Sequence, residues 1–494
     1  MLNRLNCAVM LAAIAIISAP AGVAIGTQTP PFTISKETTA ITAPLRDDGS
    51  VDYVAALNQR FGQGVTPENN GFVLCLRVMG TRGTPQSTRK QTLALCGVPE
   101  QTNLGPGWKD FTGKTPLDEQ PMRMWKAQDY PAYAAYLARQ EDVLAFAAQA
   151  ASKPQWWAPS VSLDGTVMQI LLPELNPLRG VSLTLCGRAL LRAQQGDFDA
   201  FLADVMTVKR LGRRASGWTI IGHLVANGID DLADQAIGAT AGAGVFSSEQ
   251  CAKLAKALDG VEPMPPLWQA TDVGERWSML DWTESIAMGK LGVLDDRNAQ
   301  SREWARPFKE LDRDSVDWNV VLQRLNGVSD EVTAIMKTPS VKDEQIARQI
   351  FDWKMEKIRA NLQAHPSLAK EAEETNQAYT QRVADAILSA ISPSLWRAQD
   401  TCRRGSMREI MARAVVAAAQ YRADKGNWPD KLQDLVPAYL PQMPLEMFSA
   451  ADTDPIQYQR TDLGILLRAR GPKLGDTQPD ITEGSGPDTQ VEGP

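Results

Sequence analysis

Amphipathic helical patterns follow one another from about residue 131 to residue 420, and this succession limits the possible fold most strongly. Within residues 198–208 the apolar side chains return every three or four positions, which is the spacing of one helix face. The Gly196-Asp197 turn before them predicts an αα-hairpin with the preceding helix. We therefore predict a mainly α fold, built as an irregular array of antiparallel helices.

Helix boundaries are predicted from capping residues and from proline and glycine. Residues 133–151 are rich in strong helix formers and predict a single helix. Ser247 and Gln250 form a capping box. A long helix should end at Lys425-Gly426, with glycine in the left-handed conformation that terminates many helices. Further helices are expected near 267–290, 314–337, 341–362 and 367–390.

The carboxy-terminal part of the chain changes character. Residues 456–459 alternate at period two, and the same holds for 465–469 after a Thr-Asp-Leu-Gly turn, which predicts a β-hairpin. We divide the chain into a helical domain at 47–392 with an irregular excursion near 97–129, a long helix with a small α+β hairpin module at 393–471, and a disordered acidic tail at 472–494.

The amino-terminal residues 1–25 predict a secretory signal peptide, and 26–46 a linker. Arg4 precedes an uninterrupted apolar run, and small residues around Pro20 suit a signal peptidase. The alternative is an uncleaved membrane anchor, because the apolar stretch is nearly long enough to span a bilayer. Cys7 lies at the start of this run, which argues against a lipoprotein anchor. We expect an exported protein, periplasmic or envelope-associated, that contacts the membrane only if this segment is retained.

Charge and cysteine usage exclude several classes of protein. The net charge of −7, with both signs mixed along the chain, argues against nucleic acid as a partner. Arg213-Arg214 and Arg403-Arg404 are predicted to be solvated helix surface.

Five cysteines follow the signal at wide spacings, so a disulfide scaffold is not indicated, although one bridge between Cys75 and Cys96 is an open alternative.

No motif assigns a catalytic, cofactor-binding or metal-binding residue, and we expect no cofactor. The chain has two histidines, and we predict His223 to be a buried structural residue and His365 to be exposed. The run Asp312, Asp314 and Asp317 lacks the turn glycine and downstream acid of a calcium loop. We predict that Asp312 or Asp314 caps the helix that follows.

Two other groups of residues have alternative explanations. Glu275, Arg276 and Asp281 share one predicted helix, where acids and bases more often form structural pairs than active sites. The thirteen tryptophans include the pair Trp156-Trp157, which is compatible with stacking on sugars. Core packing is the expected role of the four tryptophans embedded in helical patterns, namely Trp268, Trp277, Trp318 and Trp353.

The segments Tyr-Val-Ala-Ala-Leu-Asn-Gln-Arg-Phe-Gly at 53–62 and Val-Thr-Pro-Glu-Asn-Asn at 65–70 resemble the opening of a family of uncharacterised exported proteins from planctomycete-type bacteria. The resemblance continues through Asp197, Glu275-Arg276 and 317–319 and covers most of the mature chain. It implies export and supplies no activity.

The segment Tyr-Arg-Ala-Asp-Lys-Gly-Asn-Trp-Pro-Asp at 421–430, with the apolar and proline residues that follow, resembles the globular end of type II secretion pseudopilins. That resemblance implies a helix followed by a small sheet that can hold calcium. The usual Asp-Pro pair is replaced by Leu-Glu-Met at 445–447, which puts a calcium site in doubt, and the amino terminus lacks a prepilin leader.

These observations favour a non-catalytic exported helical interaction or scaffold protein of the cell envelope, with protein partners there. One alternative is a hydrolase-type enzyme whose acidic residues converge from several helices. A pocket that gathered His223, Glu275, Asp281 or Asp317 would favour it. The other alternative is a component associated with a secretion apparatus.

Overall fold

The computed structural model describes residues 29–80, 84–119, 122–290, 306–365, 367–390, 394–449, 451, 453–462, 464–471 and 481–484. The predicted signal peptide lies outside these residues, as do 472–480 and 485–494 of the predicted tail. The described chain is mainly helical, with a small antiparallel sheet near its carboxyl end, which confirms the predicted fold class.

The helices, in chain order, are α1 (Lys36–Thr39), α2 (Tyr53–Gly62), α3 (Gly71–Met79), α4 (Arg89–Leu95), α5 (Pro116–Glu119), α6 (Pro131–Arg139), α7 (Glu141–Ser152), α8 (Leu175–Gln194), α9 (Phe198–Ala215), α10 (Ile220–Gly242), α11 (Ser248–Asp259), α12 (Leu267–Ala270), α13 (Arg276–Ala287), α14 (Trp318–Met336), α15 (Val341–Ala364), α16 (Asn376–Ala390) and α17 (Ser394–Lys425). A π-helical turn, Thr271–Glu275, joins α12 to α13, and short 3-10 turns occur at Val167–Gln169, Arg306–Glu310, Arg313–Ser315 and Leu432–Leu435.

The chain divides into two units of discontinuous segments. Unit 1 takes its described residues from Met1–Asp52, Leu280–Asn326 and Lys357–Ala390, and unit 2 from Tyr53–Met279, Gly327–Glu356 and Ile391–Pro494. The predicted boundary near residue 392 therefore does not coincide with this division, because the carboxy-terminal module belongs to the same unit as 53–279.

The core of unit 2 is formed by α3, α7, α8, α9, α10, α11 and α17. The predicted hairpin of α8 and α9 is confirmed: Gly196 takes a φ of +79°, and the Asp197 side chain accepts a hydrogen bond from the N–H of Ala200 at 3.1 Å. Alanine-rich faces let α10 and α17 pack closely, and the α17 residue Gly405 leaves room for the side chain of Asn227.

Local helix signals in unit 2 are borne out with one exception. The Ser247 capping box is present, and Gly426 follows α17 with a φ of +81°. The single helix predicted over 133–151 is wrong, because the chain forms α6 and α7 with a break at Gln140. The buried Gln140 side chain accepts a hydrogen bond from the N–H of Lys109 at 3.3 Å, so it serves the neighbouring loop.

The predicted β-hairpin is confirmed as strands β1 (Gln457–Thr461) and β2 (Gly464–Ala469), and β3 (Ile481–Gly484) pairs with the other side of β2. All pairings are antiparallel, and Tyr458 lies opposite Leu467. Ile465, Leu467 and Ala469 alternate into the core of unit 2.

In unit 1 the described part of the predicted linker is packed against a helix. The Asn326 side chain of α14 donates to the carbonyls of Lys36 and Glu37 at 2.8 and 3.1 Å. Asn319 accepts a hydrogen bond from the N–H of Thr33 at 2.8 Å. Residues 29–46 thus include the short helix α1, and its Thr38 and Thr39 are buried.

The five described cysteines carry no disulfide, and Cys75, Cys96 and Cys186 are buried as predicted. The open alternative of a bridge between Cys75 and Cys96 is therefore not adopted. Within the described ranges, no helix has both the length and the apolar character needed to cross a bilayer.

Candidate functional site

A fully buried lysine lies among three acidic side chains between α9, α10 and α17. Lys209 Nζ lies 2.8 Å from Oδ2 of Asp230, 2.9 Å from Oδ1 of Asp234 and 3.6 Å from Oε2 of Glu409. Charged groups at such depth are retained when they are paired and hydrogen-bonded. We call Lys209, Arg213, Asp230, Asp234 and Glu409 the Lys209 cluster.

The local sequence explains why these groups meet. Lys209 follows Val205 by four positions, so it lies on the apolar face of α9 and is directed into the helix packing. Asp230 and Asp234 are four positions apart on α10 and face the same way. Gly212 allows the close approach, since a side chain there would lie 3.2 Å from the carbonyl oxygen of Ala226.

Arg213, a member of the cluster, links it to a fourth segment of the chain. Its Nη2 donates to Oε2 of Glu409 at 2.9 Å, its Nη1 donates to Asp230, and its Nε donates to the carbonyl of Glu262 at 2.7 Å. Arg413, one turn after Glu409 on α17, adds a contact of 3.1 Å to the other carboxylate oxygen. The network therefore joins α9, α10 and α17 to the loop after α11.

The electrostatics keep Lys209 charged. Burial alone would lower the pKa of Lys209, but the carboxylates of Asp234, Asp230 and Glu409 outweigh burial and raise that pKa. Burial raises the pKa of Asp234 well above its ordinary value, and Lys209 offsets only part of this effect. A lysine that remains an ammonium ion is not a nucleophile, which requires the neutral amine.

Three carboxylates this close invite comparison with a metal centre. One oxygen from each of Asp230, Asp234 and Glu409 lies within 4.8 Å of the others. The ammonium group of Lys209 already touches all three, so it holds the position that a divalent cation would take. The three carboxylates thus surround the ammonium group of Lys209, and we assign no metal ion to this cluster.

The prediction that Arg213-Arg214 and Arg403-Arg404 form solvated helix surface is wrong. The Arg213 side chain is 4% exposed within the Lys209 cluster, and Arg214 and Arg404 are half-buried. Arg403 is ion-paired to the fully buried Glu344. Arg213 and Arg403 are held inward by acids that are distant in sequence.

A second ionic group fixes α15 to α17 inside unit 2. Arg348 Nη1 donates to Oδ1 of Asp400 at 2.8 Å, and its Nη2 lies 2.6 Å from Oε1 of Glu344. The guanidinium also lies over the ring of Trp396, 5.2 Å from its centroid. This arrangement sets which face of α15 is turned toward the core.

His223 and Glu275, the candidates that lie in unit 2, both serve the first turn of α10. His223 is buried as predicted, and its Nδ1 lies 3.1 Å from the carbonyl oxygen of Thr219. Burial lowers the pKa of His223, which favours the neutral ring. Burial also raises the pKa of Glu275, which accepts a hydrogen bond from the N–H of Ile220.

Asp281 and Asp317, the candidates that lie in unit 1, also have structural partners. Asp281 has no exposed side-chain surface and is paired with Arg46 at 2.9 Å. Asp317 caps α14 by accepting from the N–H groups of Asn319 and Val320 at 3.1 and 3.3 Å. The prediction that Asp312 or Asp314 is this cap is therefore wrong, because Asp312 precedes the 3-10 turn Arg313–Ser315 and Asp314 lies within it, whereas α14 begins only at Trp318.

Some of the tryptophan side chains singled out above are packed in the core, and others are partly or largely exposed. Trp277 and Trp318 are buried as predicted, and Trp268 is half-buried beneath the ammonium of Lys337, 3.9 Å from the ring centroid. Trp156, also half-buried, packs edge-on against a core ring. The core-packing prediction is wrong for Trp353, which is 56% exposed on α15.

The loop that precedes β1 is hydrogen-bonded internally and to the end of β2. The Glu446 carboxylate accepts from the backbone N–H of Arg470 at 3.0 Å. Asp454 accepts from the Ser449 hydroxyl at 2.6 Å. Glu446 therefore joins this loop to the residue that follows β2, and Asp454 joins two positions within the loop.

Comparison of the chain with protein-family models, with curated proteins and with solved structures finds no match.

Proposed function

We propose that this protein is a non-catalytic, exported helical interaction or scaffold protein of the cell envelope. The observation that carries the proposal is an apolar stripe on the outer face of α15. It consists of Ile346, Ile350 and Trp353, which are 48%, 51% and 56% exposed. Their spacing of four and three positions places them on consecutive turns of one helix face.

The stripe is held in a fixed orientation. Phe351 and Met355 lie on the opposite face of α15 and are buried, and Arg348 anchors the same face to α17. Single exposed apolar residues are common on proteins, whereas a contiguous row with a tryptophan is typical of contact surfaces. Charged residues flank the row, as the polar rim of an interface does.

The interior supports the same proposal. The acids that a hydrolase would need from several helices form ion pairs or helix caps within their own units. The buried Lys209, which is charged, balances the charge of its acidic neighbours, and the buried His223, which is neutral, contributes to packing. The proposed role for the Lys209 cluster is to hold three helices in one arrangement, so that α15 is presented from a rigid base.

The interaction is tested with the full chain produced in its native envelope. We expect Ile346→Glu and Ile350→Glu to abolish co-purification of the partner while leaving the thermal unfolding midpoint unchanged, because both side chains face solvent. The matched control is Gln363→Glu, which adds the same charge at another exposed position of α15, ten residues after Trp353. Retention of the partner by both isoleucine variants would refute the proposed surface.

Export is tested separately by sequencing the amino terminus of the mature protein. We expect a new terminus after the small residues near Pro20. An intact Met1 would refute cleavage. Recovery of secretion-system proteins with the wild-type chain would instead favour the apparatus-associated alternative.

A further inference from the structure

Three arginines at the carboxyl end of α9 line one pocket in unit 2. Arg210, Arg213 and Arg214 follow the spacing i, i+3 and i+4, so their side chains share one side of the helix. The pocket has a volume of about 300 Å³, and Ser152 and Glu262 contribute further polar groups to its wall. Its size is at the lower end of the range for small-molecule sites.

The three guanidinium groups have different roles in this wall. Arg213 is fixed, because it donates to Asp230, Glu409 and the carbonyl of Glu262. Its position is therefore set by the buried network before any ligand arrives, which lowers the ordering cost of binding.

Arg214 and Arg210 retain donor capacity. Arg214 Nη2 donates to the carbonyl of Lys153 at 3.1 Å, while its Nη1 lies 3.9 Å from Oε2 of Glu262. The Glu262 side chain is 75% exposed, so this pair is loose and screened by water. Arg210 is exposed, and within the described chain its guanidinium group makes no hydrogen bond or ion pair.

The chemistry of the wall selects the class of ligand. A guanidinium group presents planar N–H donors that match the paired oxygens of a carboxylate or a phosphate. The pocket offers two such groups with spare donors beside a third that is immobile. Glu262 is the acidic group of the wall, and because it repels an anion it should weaken binding.

A structural explanation competes with this one. The last carbonyl groups of α7 and α9 carry partial negative charge, and arginines near a helix carboxyl end can serve only to balance it. That explanation accounts for the hydrogen bond of Arg214 to Lys153 and leaves the unpaired guanidinium of Arg210 without a role. We propose that the pocket binds a small oxyanion, a phosphate or a carboxylate, which Arg210 and Arg214 hold. This inference goes beyond the proposed function and does not depend on it.

The test is titration calorimetry of the full chain with inorganic phosphate and, in a second arm, acetate, at constant ionic strength against chloride. We expect saturable binding of one anion per chain, and the stronger ligand of the two arms identifies the chemistry. Arg210→Gln and Arg214→Gln should each weaken binding by about tenfold or more, since each variant loses charge-assisted hydrogen bonds to the anion. The matched control is Arg179→Gln, an exposed arginine on α8.

Glu262→Gln separates the two explanations, because removal of the repelling carboxylate should tighten binding severalfold. A purely structural role predicts no such gain. Heats identical to those of chloride, or affinity unchanged in both Arg210→Gln and Arg214→Gln, would overturn the proposal. Circular dichroism confirms that each variant is folded before its titration is interpreted.

Discussion

Lys209 Nζ lies 2.9 Å from Oδ1 of Asp234, and these two side chains are 0% and 1% exposed. The contact joins α9 to α10 by a hydrogen bond between two buried side chains in the core of unit 2. Removal of one partner from such a pair leaves an uncompensated buried charge, which is far more costly than the pair is favourable. Single substitutions in the Lys209 cluster should therefore be strongly destabilising.

Replacement of Lys209 by methionine should lower the free energy of unfolding by about 3–5 kcal/mol. The physical reason is that Asp230, Asp234 and Glu409 would lose their shared ammonium group. Urea unfolding monitored by circular dichroism measures the change. The matched control is Lys253→Met, because Lys253 is paired with Asp199 at a 56% exposed position and such pairs contribute about 0–1 kcal/mol. Equal losses in the two variants would contradict the assigned role of the cluster.

Stability should depend on pH through Glu174. Burial raises the pKa of this carboxyl to about 7 from an ordinary value of 4.5. Ionisation is therefore harder in the folded chain than in the unfolded chain, so this group lowers stability as pH rises from about 4.5 to 7, and its effect is constant above that range.

The variant Glu174→Gln removes this dependence. The free energy of unfolding of Glu174→Gln minus that of the wild type should increase by up to about 3 kcal/mol from pH 4.5 to pH 8. Urea unfolding at several pH values provides the comparison, with the exposed Glu68→Gln as the control. If the curves of wild type and Glu174→Gln run parallel across this range, Glu174 does not titrate as proposed.

Replacement by alanine should change the stability of the protein in opposite directions at two glycines that lie inside helices. A side chain at Gly180 of α8 would lie 2.1 Å from the ring of the buried Trp108, so Gly180→Ala should cost about 1–3 kcal/mol through overpacking. A Cβ atom added at Gly228 of α10 would have no neighbouring atom of the described structure within 4 Å. Gly228→Ala should therefore raise the free energy of unfolding by about 0.5–1 kcal/mol through helix propensity. Thermal unfolding measures both, and a loss of stability in both variants would contradict this packing.

The cysteines should react slowly in the folded protein. Burial raises the pKa of Cys96 and of Cys402 to about 12, and of Cys251 to about 11, so little reactive thiolate forms at neutral pH. Among the five described cysteines, mass spectrometry after alkylation should find few modified thiols before denaturation and all five modified afterwards. A linked Cys75–Cys96 peptide in a non-reducing digest would contradict the free thiols.

Much of the helical fold is encoded locally and is predicted from sequence for that reason. The Gly196-Asp197 turn, the Ser247 capping box and Gly426 act within a few residues of their partners, so a pattern search finds them. The break at Gln140 was missed because the segment has no proline or glycine there, and the hydrogen bond to Lys109 comes from a distant loop.

The candidate site was missed for a related reason. Asp230 and Glu409 lie 21 and 200 positions from Lys209 in the sequence, and a single sequence does not tell which acids face which bases. One signal was available: Lys209 falls on the apolar face of α9, where a charge requires a buried partner. The spacing of Asp230 and Asp234 within an apolar helix carries the same information.

The exposed stripe on α15 is the feature on which the proposed function depends. The most direct test places a photo-crosslinking amino acid at Gln349, an exposed position between Ile346 and Ile350, in cells that produce the full chain. We predict a discrete crosslinked protein that disappears when Ile350→Glu is added and that is absent when the probe stands at the exposed Arg179 of α8. Absence of any crosslink at Gln349, or a product that persists in Ile350→Glu, would contradict the account.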